Sequence, residues 1–254
     1  MEELKSKSAT KAKNKYNSQN YDNLRIVVPK GRKSEIFEAA KKAGDSLNGF
    51  VIQAIYERIV SEWHQTAKKY TIISGVNGVG KSSFSGVLAF QNNALGDIVD
   101  SAKITAAKKV FPNEGSKIAL RCITEHLENG RSFAEETALI GKNVQLSAEK
   151  AKELGYYIRL YYIGLNTPEE CLKRISNRAT RGGHDIGEID VRRRFAERWK
   201  SLNRILPYCD EAVFFDNDNG FVEVAEYADK KLIIKEDIHP LWIAELAEYL
   251  KKRR

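Results

Sequence analysis

Gly75-Val76-Asn77-Gly78-Val79-Gly80-Lys81-Ser82 is the stretch from which the chain can be read. The apolar run Tyr70-Thr71-Ile72-Ile73 precedes it, and Phe84 to Phe90 can continue as a helix after it, so it is the turn of a strand, glycine loop and helix. In a G-x-x-x-x-G-K-S pattern with that context, backbone N–H groups of the loop and of the helix start converge on a phosphate. Lys81 adds a point charge, and the Ser82 hydroxyl is a ligand for Mg²⁺. Gly75, Asn77, Gly78, Gly80, Lys81, Ser82 and Ser83 are the expected nucleotide cradle. A plain glycine-rich surface turn would leave Lys81 and Ser82 without a role.

Downstream, Gly96 to Asp100 reads as a short strand ending in a carboxylate, followed by helices over 101–110 and 115–128. Arg131 to Thr137 is another short strand with acidic residues at its end, and a helix then runs to Leu154. Tyr156 to Ile163 is a near-continuous apolar run, as expected of a strand covered on both faces. Helices over 168–178 and 189–206 and a last strand at 212–215 complete the pattern. Strands alternating with helices predict an α/β domain with a parallel sheet, whose sites gather at the carboxyl ends of the strands. Gly80, Asp100 and Glu136 all fall at or just past such ends.

Phosphoryl transfer requires a donor held in place, its charge neutralised and an acceptor hydroxyl aimed in line. Lys81 and Ser82 suit the first two tasks. Arg174, Arg178, Arg181, Arg192, Arg193, Arg194 and Arg198 flank the turn Gly182-Gly183-His184, a spread that suits a lid, although most of the seven are expected on a solvated helix face.

Together, residues 70–254 resemble the zeta-toxin family of small-molecule kinases. The resemblance is carried by the glycine loop, by Ser132-Phe133-Ala134-Glu135-Glu136-Thr137, by Arg178-Ala179-Thr180-Arg181-Gly182-Gly183-His184-Asp185-Ile186, by Val191 to Arg194 and by His239-Pro240-Leu241-Trp242. It implies a P-loop kinase fold, ATP and Mg²⁺ as cofactors, and phosphorylation of a sugar hydroxyl of UDP-N-acetylglucosamine. By motif position, Glu136 and Thr137 would contact the acceptor, Arg181 and Arg194 the transferring phosphates, and Arg178 the nucleotide. One departure stands out. Where the family carries a carboxylate pair one residue apart, this chain has Asp100-Ser101-Ala102-Lys103-Ile104, with Ala102 at the place of the family's general base. Either Asp100 is the base, or Ala102 marks an inactive form.

Upstream, Leu24 to Val28 alternates as a strand, residues 32–43 read as a helix with Ile36, Phe37, Ala40 and Ala43 inward and Gly44 at its end, and Ser46 is an N-cap for a second helix. A strand-helix-helix unit of this size needs a copy of itself to bury its edges. Residues 21–61 resemble a ribbon-helix-helix domain, a dimeric DNA-binding module. That resemblance implies Asn23, Arg25 and Val27 as base readers and the helix start at Ser46 on a phosphate of operator DNA. Residues 1–20, with five lysines in the first fifteen positions, form a basic arm, and 62–69 form a linker that the second helix could traverse. His64 has no partner at ligand spacing.

A net charge of +8 points to polyanionic partners. Three widely spaced cysteines suit free thiols in the cytoplasm rather than a disulfide framework, and no apolar stretch is long enough to span a membrane. The expected protein is a fused antitoxin and toxin, a homodimer that binds operator DNA and phosphorylates a nucleotide sugar. Met1 is the only methionine, so an internal AUG cannot start the kinase segment separately. A kinase for another acceptor, such as a nucleoside or dinucleotide, and a regulator that merely senses a nucleotide remain the alternatives.

Overall fold

The computed structural model describes residues 24–90, 95–179, 186–228, 230–235 and 240–252. The chain divides into two compact units that part between Glu62 and Trp63.

In the first unit, α1 spans Arg32–Lys42 and α2 starts at Leu47, its helix running on to Thr66. Ser46 caps α2, its Oγ accepting from the Gly49 N–H at 3.0 Å, and Gly44 turns the chain between the helices with φ at 72°. Residues 24–28 form no strand in the single chain, since a strand needs a neighbour to bond with and one copy supplies none. Ala40 is the buried residue of α1, whereas Phe37 is 53% exposed and Ala43 also faces solvent, contrary to the inward positions expected from spacing. Among the described residues the unit buries Ala40 and leaves Phe37 and Ala43 of the stripe uncovered.

The second unit is a seven-stranded sheet in the order β2-β3-β1-β4-β5-β6-β7, with β1 at Lys69–Ser74, β2 at Asp97–Asp100, β3 at Phe133–Thr137, β4 at Tyr157–Gly164 and β5 at Glu211–Asp216. These five run parallel. β6 at Val222–Ala228 and β7 at Lys231–Ile234 then add two antiparallel strands, so Glu211–Asp216 is not the last strand and the sheet is mixed. Their alternation is blurred by Glu223, Glu226 and Lys231, as befits the edge of a sheet.

Helices cover both faces. One side packs α3 (Lys81–Phe90), α7 (Pro168–Ala179) and α8 (Glu188–Ala196) through Phe84, Leu88, Cys171, Ile175, Val191 and Phe195. The other packs α5 (Pro112–Glu128), α6 (Asn143–Glu153), α9 (Arg198–Ile205) and α10 (Leu241–Lys251) through Ile123, Leu127, Ala148, Leu202, Ile205 and Trp242. The short α4 (Ser101–Lys108) follows β2 directly. The single helix expected over 189–206 is broken at Glu197: Val191 and Phe195 belong to the first core and Trp199, Leu202 and Ile205 to the second. One straight helix cannot serve both cores. Among the described residues no helix is long and apolar enough to cross a membrane.

Candidate active site

The glycine loop joins β1 to α3 at the carboxyl edge of the sheet. Gly75, Gly78 and Gly80 have φ values of 143°, 91° and 99°, which a side chain would strain. A Cβ on Gly75 would also lie 2.3 Å from the Ile163 carbonyl oxygen, and one on Gly78 2.4 Å from that of Cys171. The end of β4 and the start of α7 therefore wall the loop. Phe84, in the first turn of α3, is held among Tyr161, Phe215 and Phe221 with ring centroids 4.7–5.6 Å away. Lys81 folds back over the loop, its Nζ donating to the Gly75 and Val76 carbonyls at 2.9 and 3.3 Å. Burial pushes its ammonium down to about 8, against the opposing pull of the Glu136 and Asp100 carboxylates.

Parallel pairing brings the second half of the site alongside. β3 lies between β1 and β2, with Glu136 in register with Ile73 and Asp100. The buried Glu136 carboxylate accepts from Ser82 Oγ at 2.7 Å, from Ser85 Oγ and from Lys103 Nζ at 3.1 Å. Burial alone would raise its pKa, but the Ser85 and Ser82 hydroxyls and the Lys103 ammonium outweigh that and hold it below the usual carboxylate range. Asp100 caps α4, its Oδ1 accepting from the N–H groups of Ala102 at 2.8 Å and Lys103 at 3.2 Å, which leaves Oδ2 at 3.7 Å from Lys103 Nζ. Ala102 itself is exposed on the first turn of α4. Thr137 Oγ1 accepts from the Leu139 N–H at 3.1 Å.

Of the seven arginines, Arg194 reaches the loop: its Nη1 donates to Asn77 Oδ1 at 2.6 Å, while its buried Nε has no partner among the described residues. Burial lowers the pKa of its guanidinium. Arg174 instead donates to the Asn217 and Asp218 carbonyls at 2.6 and 3.1 Å. Arg192 pairs with Glu169 and Glu188, and Arg193 with Asp190. Arg198 lies against the Phe195 and Trp199 rings and bonds Glu245. Arg178 is exposed in the last turn of α7, and Ser83 is exposed on α3. Arg181 and the Gly182-Gly183-His184 turn lie outside the described residues, as does Asn23. Arg25 and Val27 are exposed, and Ser46 is engaged as a helix cap.

Ser85, Lys103 and Asn217 were not singled out from the sequence. Ser85 and Lys103 each stand three residues beyond a predicted site residue on a helix, which puts them on the same face and makes them legible in principle. Asn217, whose Nδ2 donates to the Val79 carbonyl at 2.7 Å, carries no local signal.

Among the described residues no group of three or more His, Cys, Asp or Glu side chains could hold a metal ion. The arrangement suits Mg²⁺ nonetheless. The Ser82 hydroxyl donates its hydrogen bond to Glu136, leaving its oxygen lone pairs for a cation that takes its other ligands from phosphate and water, as Mg²⁺ does.

No protein-family model matches the chain. Among solved structures, a chain of the AvrRxo1-ORF1:AvrRxo1-ORF2 complex with sulphate ions has a TM-score of 0.50 at 16% identity, over 71% of this chain and 63% of that one, and shares the fold. A chain of the PezAT chromosomal toxin-antitoxin system of Streptococcus pneumoniae has a TM-score of 0.49 at 13% identity, over 79% of this chain and 93% of that one. An uncharacterized protein of Haemophilus influenzae is 31% identical over 128 residues, a match that spans 48% of this chain and 88% of that one, and the chain belongs to the family of that protein.

Proposed function

We propose that the second unit is an ATP- and Mg²⁺-dependent phosphotransferase acting on a hydroxyl of a nucleotide sugar, of which UDP-N-acetylglucosamine is the leading candidate. The observation that carries the reading is the bond from Ser82 to the buried Glu136, which ties the glycine loop to the carboxyl ends of β2 and β3. Lys81 and the N–H groups of the loop would hold the donor phosphates, and Arg194, with its partnerless buried Nε, would turn from Asn77 to the transferring group. Bound Mg²⁺ would neutralise charge on the phosphates. Glu136 orients the Ser82 hydroxyl and borders the acceptor side with Thr137, and Asp100 Oδ2 is the carboxylate oxygen left to take the acceptor proton in place of an Asp at 102, less effectively than that residue would.

The first unit, in this reading, is a dimerising module for operator DNA, with Asn23, Arg25 and Val27 on the ribbon and the α2 start at Ser46 on a phosphate. The whole is a toxin with its antitoxin-like segment in one chain, working in the cytoplasm.

A second reading, a regulator that binds a nucleotide without transferring phosphate, is favoured by Ala102, which leaves the usual base position without a carboxylate. Incubating the protein with γ-labelled ATP, Mg²⁺ and a panel of nucleotide sugars and nucleosides separates the two. Label in an acceptor supports transfer, and tight ATP binding with no labelled acceptor supports sensing.

A further inference from the structure

The segment that follows β5 enters none of the roles above, yet it grips the phosphate loop. Asn217 Nδ2 donates to the Val79 carbonyl at 2.7 Å, and a Cβ on Gly80 would lie 2.6 Å from that same nitrogen. Asn217 is itself fixed on three sides. Its N–H donates to the Gly164 carbonyl at the end of β4, at 3.2 Å. Its own carbonyl accepts from Arg174 on α7 at 2.6 Å. The preceding Asp216 is buried and accepts from Trp242 Nε1 on α10 at 2.7 Å and from the Asp218 N–H at 3.0 Å.

We propose that Asn217 is a positioning residue that sets the phosphate loop for its ligand by holding the Val79–Gly80 peptide in one orientation. The proposal rests on the nucleotide reading. The chain contains no cis peptide bond among its described residues, and in a trans peptide the C=O and the following N–H point in opposite directions. Holding the Val79 carbonyl therefore fixes the direction of the Gly80 N–H. Gly80, at φ 99°, has no side chain to resist a flip that would turn a carbonyl toward the phosphates. The amide of Asn217 supplies that resistance from outside the loop.

The test is calorimetric titration of the full chain with Mg²⁺-pyrophosphate and with Mg²⁺-ADP, alongside its melting temperature. Asn217→Asp keeps the shape but loses the donor, and both ligands should weaken by the same factor, about tenfold or more. Protonating the introduced carboxyl restores a donor, so the deficit relative to the natural chain should shrink as the pH is lowered toward the carboxylate range, near about 4. Asn217→Ser, a shorter donor, should weaken both ligands equally but less, and serves if the first variant fails to fold. Unchanged pyrophosphate binding in the folded variants overturns the proposal, and weakening of ADP alone would make Asn217 a nucleoside contact instead. If the natural chain binds neither ligand, the nucleotide reading falls and the proposal with it.

Discussion

Glu135 and Glu136 are neighbours on one strand with opposite fates, because successive side chains of a strand point to opposite faces. Glu136 faces the glycine loop, where two hydroxyls and an ammonium keep it ionised. Glu135 faces the other way. Burial pushes its carboxyl up to about 7, and the Tyr70 hydroxyl that donates to it offsets only part of this. The folded chain therefore holds a proton that the unfolded chain, with an ordinary carboxyl near 4.5, has released. Stability should fall as pH rises from about 4.5 through 7, by on the order of 3 kcal/mol for this group. Glu135→Gln keeps an acceptor for Tyr70 and removes the titration, so its denaturant midpoint should be higher than that of the natural chain at pH 8 and flatter across the window. A midpoint at pH 8 equal to or below that of the natural chain would refute this. The thiol beside the loop is inert by the same physics, since burial pushes Cys171 up to about 12.

At the scale of elements, the fit of α7 to the loop is set by one glycine. The Cys171 carbonyl occupies the space a Gly78 side chain would need, and φ is 91° there. Gly78→Ala should cost about 1–3 kcal/mol of stability and weaken ADP binding, measured by thermal melting and titration; unchanged values would show that the loop is not held against α7. Much of this element order was legible. The glycine loop, β1 and the doubly covered β4 announce themselves through glycine chemistry and apolar runs. β6 and β7 did not, because they close one end of the sheet, with β7 as its edge, and carry Glu223, Glu226 and Lys231 at positions that a strand deep in the sheet would keep apolar. The break at Glu197 was hidden because the apolar spacing of 191–205 stays helical while its target changes from one core to the other. That Lys81, Ser82, Asp100, Glu136 and Arg194 gather around the glycine loop and the ends of β2 and β3 was legible from motif position. The grip of Asn217 was not, since it joins residues 138 positions apart in sequence.

For the whole molecule, the first unit leaves Leu24, Ile26, Phe37 and Ile52 exposed at 75, 51, 53 and 44%. A second copy is the partner that would bury them in the proposed ribbon. The full chain should run as a dimer in light scattering at micromolar concentration, and the double variant Leu24→Glu, Ile26→Glu as a monomer; a monomeric natural chain would remove the ribbon from the account. The second unit carries the central claim, that the Gly75–Ser82 loop and the carboxyl ends of β2 and β3 form one phosphoryl-transfer site. The most direct test compares transfer of label from γ-labelled ATP to UDP-N-acetylglucosamine by the natural chain and by Ala102→Asp, which restores the missing carboxylate beside Lys103. The account predicts labelled sugar nucleotide, increased by about 100- to 10,000-fold in Ala102→Asp and abolished when Lys81→Met is added. ATP bound by both chains with no label in the sugar nucleotide or any other acceptor of the panel would contradict it.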